Sequence, residues 1–374
     1  MPELFACPSC RGALTREIDR LRCGCSTWPV VEEIPIFAPW ARNRSFALED
    51  ILVRHLPPPP GLVGRVLRRV LPPVGAIQKA VFDREATFLA LAAALGRTRD
   101  LDYFRYRFSD LSYLTTAALL TPLLRGPVLD LGCGAGHMVH ALFRRIPRSM
   151  VVGLDLNFTL LYLAKRFVAP SALYVCADAS ARLPFLDGAF TASLCADTFK
   201  YLADRSTAAG ELLRVTSGPI IVSHFYDPSF QGEGVPAPLE PEACAALFSS
   251  RSPRLYREQE ILQGFLERRE LDLRSPGASK DDVTSLTAGV EPRVYPGADY
   301  FVSGTALNPV YEVREEGETL HLRRRFISER YTEAYRKVEK YLPESLTVTK
   351  EQVASGDPEL VRKFVLLELP DNYS

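Results

Sequence analysis

The stretch VLDLGCGAGH, Val128 to His137, constrains the fold more than any other part of the chain. A continuous apolar run ends in Gly132, Gly134 and Gly136, spaced two apart, and an apolar-periodic segment, HMVHALFRRI, follows. That is a buried strand, a tight turn and a helix. The alternation then repeats. VVGLDL reads as a strand and FTLLYLAKRFV as a helix. ALYVCADA and FTASLCAD read as strands, STAAGELLRVT as a helix and GPIIVSHF as a strand. Strands that are continuously apolar are buried on both faces, as in a parallel sheet covered by helices. The expected fold is therefore α/β, a doubly wound and mainly parallel sheet. Ligands in such sheets sit beyond the carboxyl ends of the strands, where the glycine loop lies.

The spacing narrows the ligand. A dinucleotide fingerprint, GxGxxG, would put its last glycine at position 137, which is His137. Asp155 closes the second strand, where a carboxylate can accept from both hydroxyls of a ribose. YVCADASARLPF then puts Asp178 and Ala179 at the end of the third strand, suited to an adenine amino group and ring edge. The set VLDLGCGAGH, VVGLDLN and CADASARLPFLDGAF resembles class I S-adenosylmethionine-dependent methyltransferases over roughly residues 125–275. The resemblance implies a seven-stranded Rossmann-like sheet. Asp130, Gly132, Gly134 and Gly136, with His137, would frame the methionine end of the cofactor. Asp155 would hold the ribose, with Leu156 beside it among the cofactor-binding residues, and Asp178 and Ala179 would flank the adenine; Asp197 would line the cofactor or acceptor pocket. A side chain at the glycines is expected to collide with the cofactor. One departure is Phe190-Thr191, where the family has Phe-Asp; little effect on cofactor binding is expected.

Methyl transfer from a sulfonium is an in-line displacement, so the protein positions the acceptor and can take its proton. The candidates follow the fourth and fifth strands: Asp197 and Tyr201 in ADTFKYL, His224 and Tyr226 in VSHFYDP. His224 has the pKa range of a general base, although a lone histidine is more often a structural hydrogen-bonder. Such a base suits an oxygen acceptor. Tyr103, Phe104, Tyr106, Phe108 and Tyr113 crowd into one segment, either as helix-packing aromatics or as a lid over the ligand.

The N-terminal forty residues carry Cys7 and Cys10 as CxxC, then Cys23 and Cys25 as CxC. Thiolates bind zinc tetrahedrally, and a segment this small needs a metal or an equivalent staple. Residues 5–38 resemble the small zinc-ribbon activator subunits of RNA and protein methyltransferases, through CPxCxGxL, LxC, Trp28-Pro29-Val30-Val31 and Ile34-Pro35-Ile36-Phe37. That implies a structural Zn2+ site. The second knuckle is a residue short, which puts its geometry in question, and Glu33 stands where the family often has glycine.

Four regions are expected: residues 1–40 a zinc-ribbon-like domain, 41–120 a linker and helical lid, 121–275 the cofactor-binding core, and 276–374 an extension completing the sheet and the acceptor pocket. Within the second, Leu56-Pro57-Pro58-Pro59-Pro60-Gly61 is a stiff spacer, 62–82 a short basic amphipathic helix broken by Pro72-Pro73 and 83–97 a further helix. The segment from Ala243 is expected to be the helix before a sixth strand, with Gly264-Phe265 turning into it. NPVYEVREEGETLHLRRRF reads as a hairpin, SERYTEAYRKVEKYL as a helix and KFVLLELP as an edge strand.

The 374 residues carry 45 basic and 45 acidic side chains. Phosphate-backbone binding wants a basic excess, so the balance opposes nucleic acid and favours a small-molecule or peptide acceptor. An RNA-modifying methyltransferase, favoured by the ribbon, and a non-catalytic cofactor-binding scaffold stay as alternatives. No apolar run is long enough to span a membrane and no signal peptide is visible, so a cytoplasmic protein is expected. The sequence leaves oligomeric state open.

Overall fold

The computed structural model describes residues 4–59, 61–62, 65, 73–120, 123, 125–146, 151–228, 236–267, 281–290, 303–326, 328–329, 331–332 and 342–374. Its centre is a seven-stranded sheet: β1 (Val128–Leu131), β2 (Val151–Asp155), β3 (Leu173–Cys176), β4 (Ala192–Ala196), β5 (Ile220–Tyr226), β6 (Arg254–Arg257) and β7 (Thr284–Ala288). The strand order is β6-β7-β5-β4-β1-β2-β3. The pairs from β5 through β3 are parallel, and β7 runs antiparallel to both β5 and β6. The order reverses between β1 and β4, which opens a crevice above their carboxyl ends. This is a Rossmann-like sheet. The apolar runs became strands because both faces are covered; every residue of β1 and β4 is buried.

The helices that position the site are α1 (Phe88–Ala94), α2 (Leu101–Tyr106), α3 (Leu111–Ala118), α4 (His137–Phe143), α5 (Phe158–Leu163), α6 (Arg205–Val215), α7 (Pro241–Leu247) and α8 (Glu258–Leu266). Short polar side chains set their starts. Asn157 caps α5 through Thr159 N, and Asp204 caps α6 through Thr207 N at 2.9 Å. The expected helix over 83–97 begins late. Thr87 caps it, while Asp83 accepts from Glu85 N in a preceding turn; it closes at Gly96, whose φ is +77°.

Gly264 and Phe265 do not form a turn; they lie inside α8. The sixth strand comes earlier. Ser252 precedes a proline, which disfavours helix, and it takes φ +48°, so the chain breaks there and Arg254 opens β6. The helix restarts at Glu258, with two acidic residues in its first turn. Much of the basic segment 62–82, including Arg68 and Arg69, lies outside the described residues; a helix occupies Val74–Phe82. Most of SERYTEAYRKVEKYL also lies outside them.

The N-terminal unit is a four-stranded antiparallel sheet. Its hairpin loop, Glu32-Glu33, has φ +49° and +62°, a left-handed pair that matches the sheet twist and suits glycine. Glu33 sits there regardless, and its carboxylate meets Lys165 Nζ at 2.8 Å. The unit covers the β3 edge. Phe37 N donates to Cys176 O at 2.8 Å, Ala6 N to Pro184 O at 3.1 Å, and Phe5 stacks on Phe185 at 5.6 Å. A bare edge strand invites pairing with other chains, and this one is closed.

Beyond β7, Tyr311–Glu316 and Thr319–Arg324 form the expected hairpin, extended by Ser345–Thr349 into three strands. Leu366–Leu367 pairs with Ala306–Leu307. The tail then crosses to α1, where Asn372 O and Tyr373 O accept from Phe88 N and Leu89 N. Among the described residues, no helix is long and apolar enough to cross a membrane.

Candidate active site

The three glycines have different reasons to be glycine. All take positive φ. A Cβ at Gly132 would lie 2.1 Å from Thr198 Cγ2, and one at Gly136 2.8 Å from Ala164 Cβ. Those collisions are with the protein itself. At both positions a side chain would strike the protein whether or not a ligand is bound, because the loop is packed from below by Thr198 and by Ala164, the residue that follows α5. Only Gly134 faces open space, with no atom within 4 Å of its would-be Cβ. Gly132 N and Cys133 N both donate to Leu154 O, at 2.7 and 2.9 Å, which ties the loop to β2.

Above the loop is a cavity of about 330 Å³ between the ends of β1, β2 and β4 and the segment from Arg97 to Arg107. That is within the range of small-molecule sites. Asp155 lines it. Its Oδ2 accepts from Gly134 N at 2.9 Å and its Oδ1 from Asn157 N at 2.8 Å, so the carboxylate is fixed in position with lone pairs to spare.

Asp130 also lines the cavity, is 1% exposed, and has no partner for either oxygen. Burial, with Asp155 nearby, pushes its carboxyl up to about 7, and Arg107 pulls the other way. Arg107 is buried in the same wall. Its Nη1 donates to Ser112 Oγ at 2.5 Å and Asp110 Oδ1 at 3.1 Å, while Nε has no partner. A carboxylate and a guanidinium edge, both desolvated and both unfinished, complement the ammonium and carboxylate of an α-amino acid. With the opening over Gly134, they fit the methionine end of S-adenosylmethionine.

Of the other expected ligand residues, His137 lines the cavity and three lie beyond it. Asp178, Ala179 and Leu156 lie outside the cavity lining. Asp178 Oδ1 accepts from Ser180 N at 2.7 Å, Ala179 is buried and Leu156 is exposed. His137 is the first residue of α4. Its ring is packed among Phe88, Phe104 and Phe108, and burial, with Arg107 and His140 nearby, holds it well below the ordinary imidazole range. Of the aromatic run, Tyr103 and Phe104 line the cavity; Tyr106, Phe108 and Tyr113 are buried outside it.

Asp197 and Tyr201 line the acceptor side. Asp197 Oδ1 meets Lys200 Nζ at 2.7 Å. Burial disfavours its ionisation, but His224, Lys200 and Arg107 outweigh this and hold its carboxyl below the usual range. His224 stands one strand over, its Nε2 4.0 Å from Asp197 Oδ1. Both residues have left-handed backbone, φ +55° and +51°, at adjacent strand ends. His224 and the buried Tyr226 lie outside the cavity lining. The sequence reading missed Arg97, Arg107, Thr198 and Glu258. Arg107 is hidden in the aromatic run, and Glu258 follows a strand whose start was misplaced. Thr191, where the resemblance leads one to expect aspartate, turns its hydroxyl to the carbonyls of Arg125 and Pro127.

The four N-terminal thiols converge, with every Sγ within 4.8 Å of the others. Cys7–Cys25 is 3.8 Å, Cys10–Cys23 3.7 Å and Cys23–Cys25 3.4 Å. A tetrahedron of sulfurs at zinc distance has edges of about 3.8 Å. The donor set thus fits such an ion, and the short CxC turn does not prevent it.

Residues 129–218 match the family model described as a methyltransferase domain. A stretch of 106 residues is 40% identical to the demethylmenaquinone methyltransferase of Thermus thermophilus, covering 27% of this chain and 48% of that one. A stretch of 101 residues is 32% identical to the protein of the same name from Roseiflexus castenholzii, covering 27% of this chain and 42% of that one. The chain thus spans less than half the length of these curated relatives. Among solved structures, the MccD protein superposes on 49% of the chain, and on 97% of its own, with a TM-score of 0.33 at 19% identity. An S-adenosylmethionine-dependent methyltransferase of Thermotoga maritima covers 52% of the chain and 94% of its own, with a TM-score of 0.37 at 15% identity. Residues 129–218, with the glycine loop at their start and Asp197 toward their end, are thus the part of the chain that is similar to a methyltransferase domain.

Proposed function

We propose that this protein transfers the methyl group of S-adenosylmethionine to a hydroxyl of a small molecule. The observation that carries the reading is the unfinished pair of Asp130 and Arg107 beside the open face of Gly134. In this reading Asp130 takes the ammonium, Arg107 the carboxylate and Asp155 the ribose hydroxyls. Asp178, Ala179 and Leu156 border the adenine beyond the cavity. The bound sulfonium supplies an already activated methyl group. The chain's own residues orient the acceptor over Asp197 and Tyr201 and exclude water beneath Tyr103 and Phe104. His224 serves as proton acceptor, which suits oxygen. The two curated relatives, named for methylating demethylmenaquinone, support a small-molecule acceptor. The ribbon holds a structural Zn2+ through Cys7, Cys10, Cys23 and Cys25.

Calorimetric titration with S-adenosylhomocysteine, with NADH alongside and Asp155→Ala as control, tests the cofactor. Binding of the first compound alone, weakened at least about tenfold in the variant, is expected, since a lost charge-assisted hydrogen bond costs roughly 1.5–3 kcal/mol. Binding of NADH, or of neither compound, overturns the reading.

A further inference from the structure

We propose that Glu258, on α8 and outside the methyltransferase-domain match, is a positioning residue that holds His224 in the Nδ1-protonated form, leaving Nε2 as the basic atom on the acceptor side. The inference rests on the methyltransferase reading for its purpose, but its geometry stands apart from it. His224 Nδ1 lies 2.8 Å from Glu258 Oε2. The other oxygen, Oε1, accepts from Ser285 Oγ at 2.7 Å, and Ser285 Oγ in turn accepts from His224 N at 3.1 Å. The histidine is thus gripped at ring and backbone through one carboxylate and one hydroxyl. Glu258 and Ser285 are both buried. A carboxylate can only accept, so the hydrogen of the neutral imidazole belongs on Nδ1.

What faces Nε2 defines its task. Asp197 Oδ1 from β4 is 4.0 Å away and Asp227 Oδ2 from the end of β5 is 3.9 Å away, both beyond hydrogen-bond reach. Lys200 stands behind Asp197. Burial works against a charged ring, but Glu258 and then Asp197 outweigh it, with Lys200 opposing, and raise His224 above the usual imidazole range. Carboxylates beside Nε2 favour an acceptor that brings a proton over one that brings a negative charge. The substrate class is therefore a neutral hydroxyl compound, phenol-like or alcoholic, rather than a carboxylate. Its oxygen takes the methyl group as its proton passes to Nε2, and the electron pair of the broken carbon–sulfur bond stays with sulfur.

Nitrogen-15 and carbon-13 NMR of the histidine rings, titrated by pH in the whole 374-residue chain, reads both tautomer and midpoint. His224→Asn identifies the signal by its loss. The wild-type ring is expected to carry its hydrogen on Nδ1 and to titrate above the other rings packed in the core, since burial first of all pulls His55 and His140 down to about 4. Glu258→Gln is expected to lower the midpoint by about one unit and mix the tautomers; each unit is 1.36 kcal/mol of preference for the charged ring. Glu258→Asp should restore part of both. Should Glu258→Gln not fold, Ser285→Ala frees the carboxylate without removing it and should shift both in the same direction by less. An unchanged tautomer and midpoint in a folded Glu258→Gln or Ser285→Ala overturns the proposal. S-adenosylhomocysteine binding, unaffected by Glu258→Gln here, separates failure of this pairing from failure of the methyltransferase reading.

Discussion

The hydroxyl of Tyr373 lies 2.7 Å from His137 Nε2 and donates to Phe104 O at 2.8 Å. It therefore accepts from the histidine, whose hydrogen sits on Nε2. One side chain from the C-terminal tail joins the helix after the glycine loop to the helix that roofs the cavity. Its ring stacks on Phe88 at 4.6 Å, and the adjoining carbonyls take the free N–H groups of α1. Tyr373→Phe keeps the stack and deletes both bonds, leaving the buried His137 N–H unpaired, while Phe104 O keeps its bond from Arg107 N. Urea unfolding is expected to show a loss of about 1–3 kcal/mol, with S-adenosylhomocysteine binding weakened because floor and roof are no longer tied.

Gly132 and Gly134 are expected to respond in opposite ways to alanine. At Gly132 the methyl group must displace Thr198, whose hydroxyl is fixed on Gly132 O at 2.8 Å. Overpacking there, together with the left-handed backbone, should cost about 3 kcal/mol and lower the melting temperature. At Gly134 only the backbone penalty of about 1–2 kcal/mol applies, so the protein folds, while the methyl group stands in the cavity and abolishes S-adenosylhomocysteine binding. Melting curves and calorimetry on the pair separate a packing glycine from a ligand glycine.

How much of this was legible depends on how local each constraint is. The sheet from β1 to β5 was readable because each strand is buried on both faces and announces itself as an apolar run. The ends of those strands carried Asp130, Asp155 and Asp197 with them. β6 was misplaced because it is a half-exposed strand, RLYR, with no such run. Glu258 was invisible for the same reason, since its role depends on that strand's position. Arg107 looked like one more cation in an aromatic segment; only the fold brings it to the same cavity wall as Asp130. The packing reason for Gly132 and Gly136 was not legible, because Thr198 and Ala164 are distant in sequence.

The N-terminal unit offers a test by metal removal. Phe5, Trp28 and Phe37 pack as one layer on Phe185, and main-chain bonds seal the β3 edge. A metal that holds Cys7, Cys10, Cys23 and Cys25 together also holds that layer. Elemental analysis should find about one zinc per chain. Chelation or Cys7→Ser should lower stability by at least about 2 kcal/mol, a few degrees in melting temperature for a chain of this size. It should also raise aggregation through the uncovered edge. Full stability without metal would show the layer to be held by packing alone.

Asp130 makes the affinity for the cofactor product depend on pH in a definite direction. Its carboxyl is raised from 3.8 to about 7 in the folded protein, first by burial and then by Asp155. Between those values the folded state holds a proton that the unfolded state has lost, so Asp130 withdraws stability as pH rises through that window and withdraws no more above it. A bound ammonium reverses the preference by favouring the ionised carboxylate, so binding expels the proton. The affinity for S-adenosylhomocysteine should therefore strengthen from pH 5.5 to 7, by up to about tenfold per unit, and level off above 7. Asp130→Asn should bind weakly with no such slope and lose less stability over the same range. Calorimetry in buffers of different ionisation enthalpy counts the released proton. A wild-type affinity flat across that range would mean that Asp130 does not meet the ammonium.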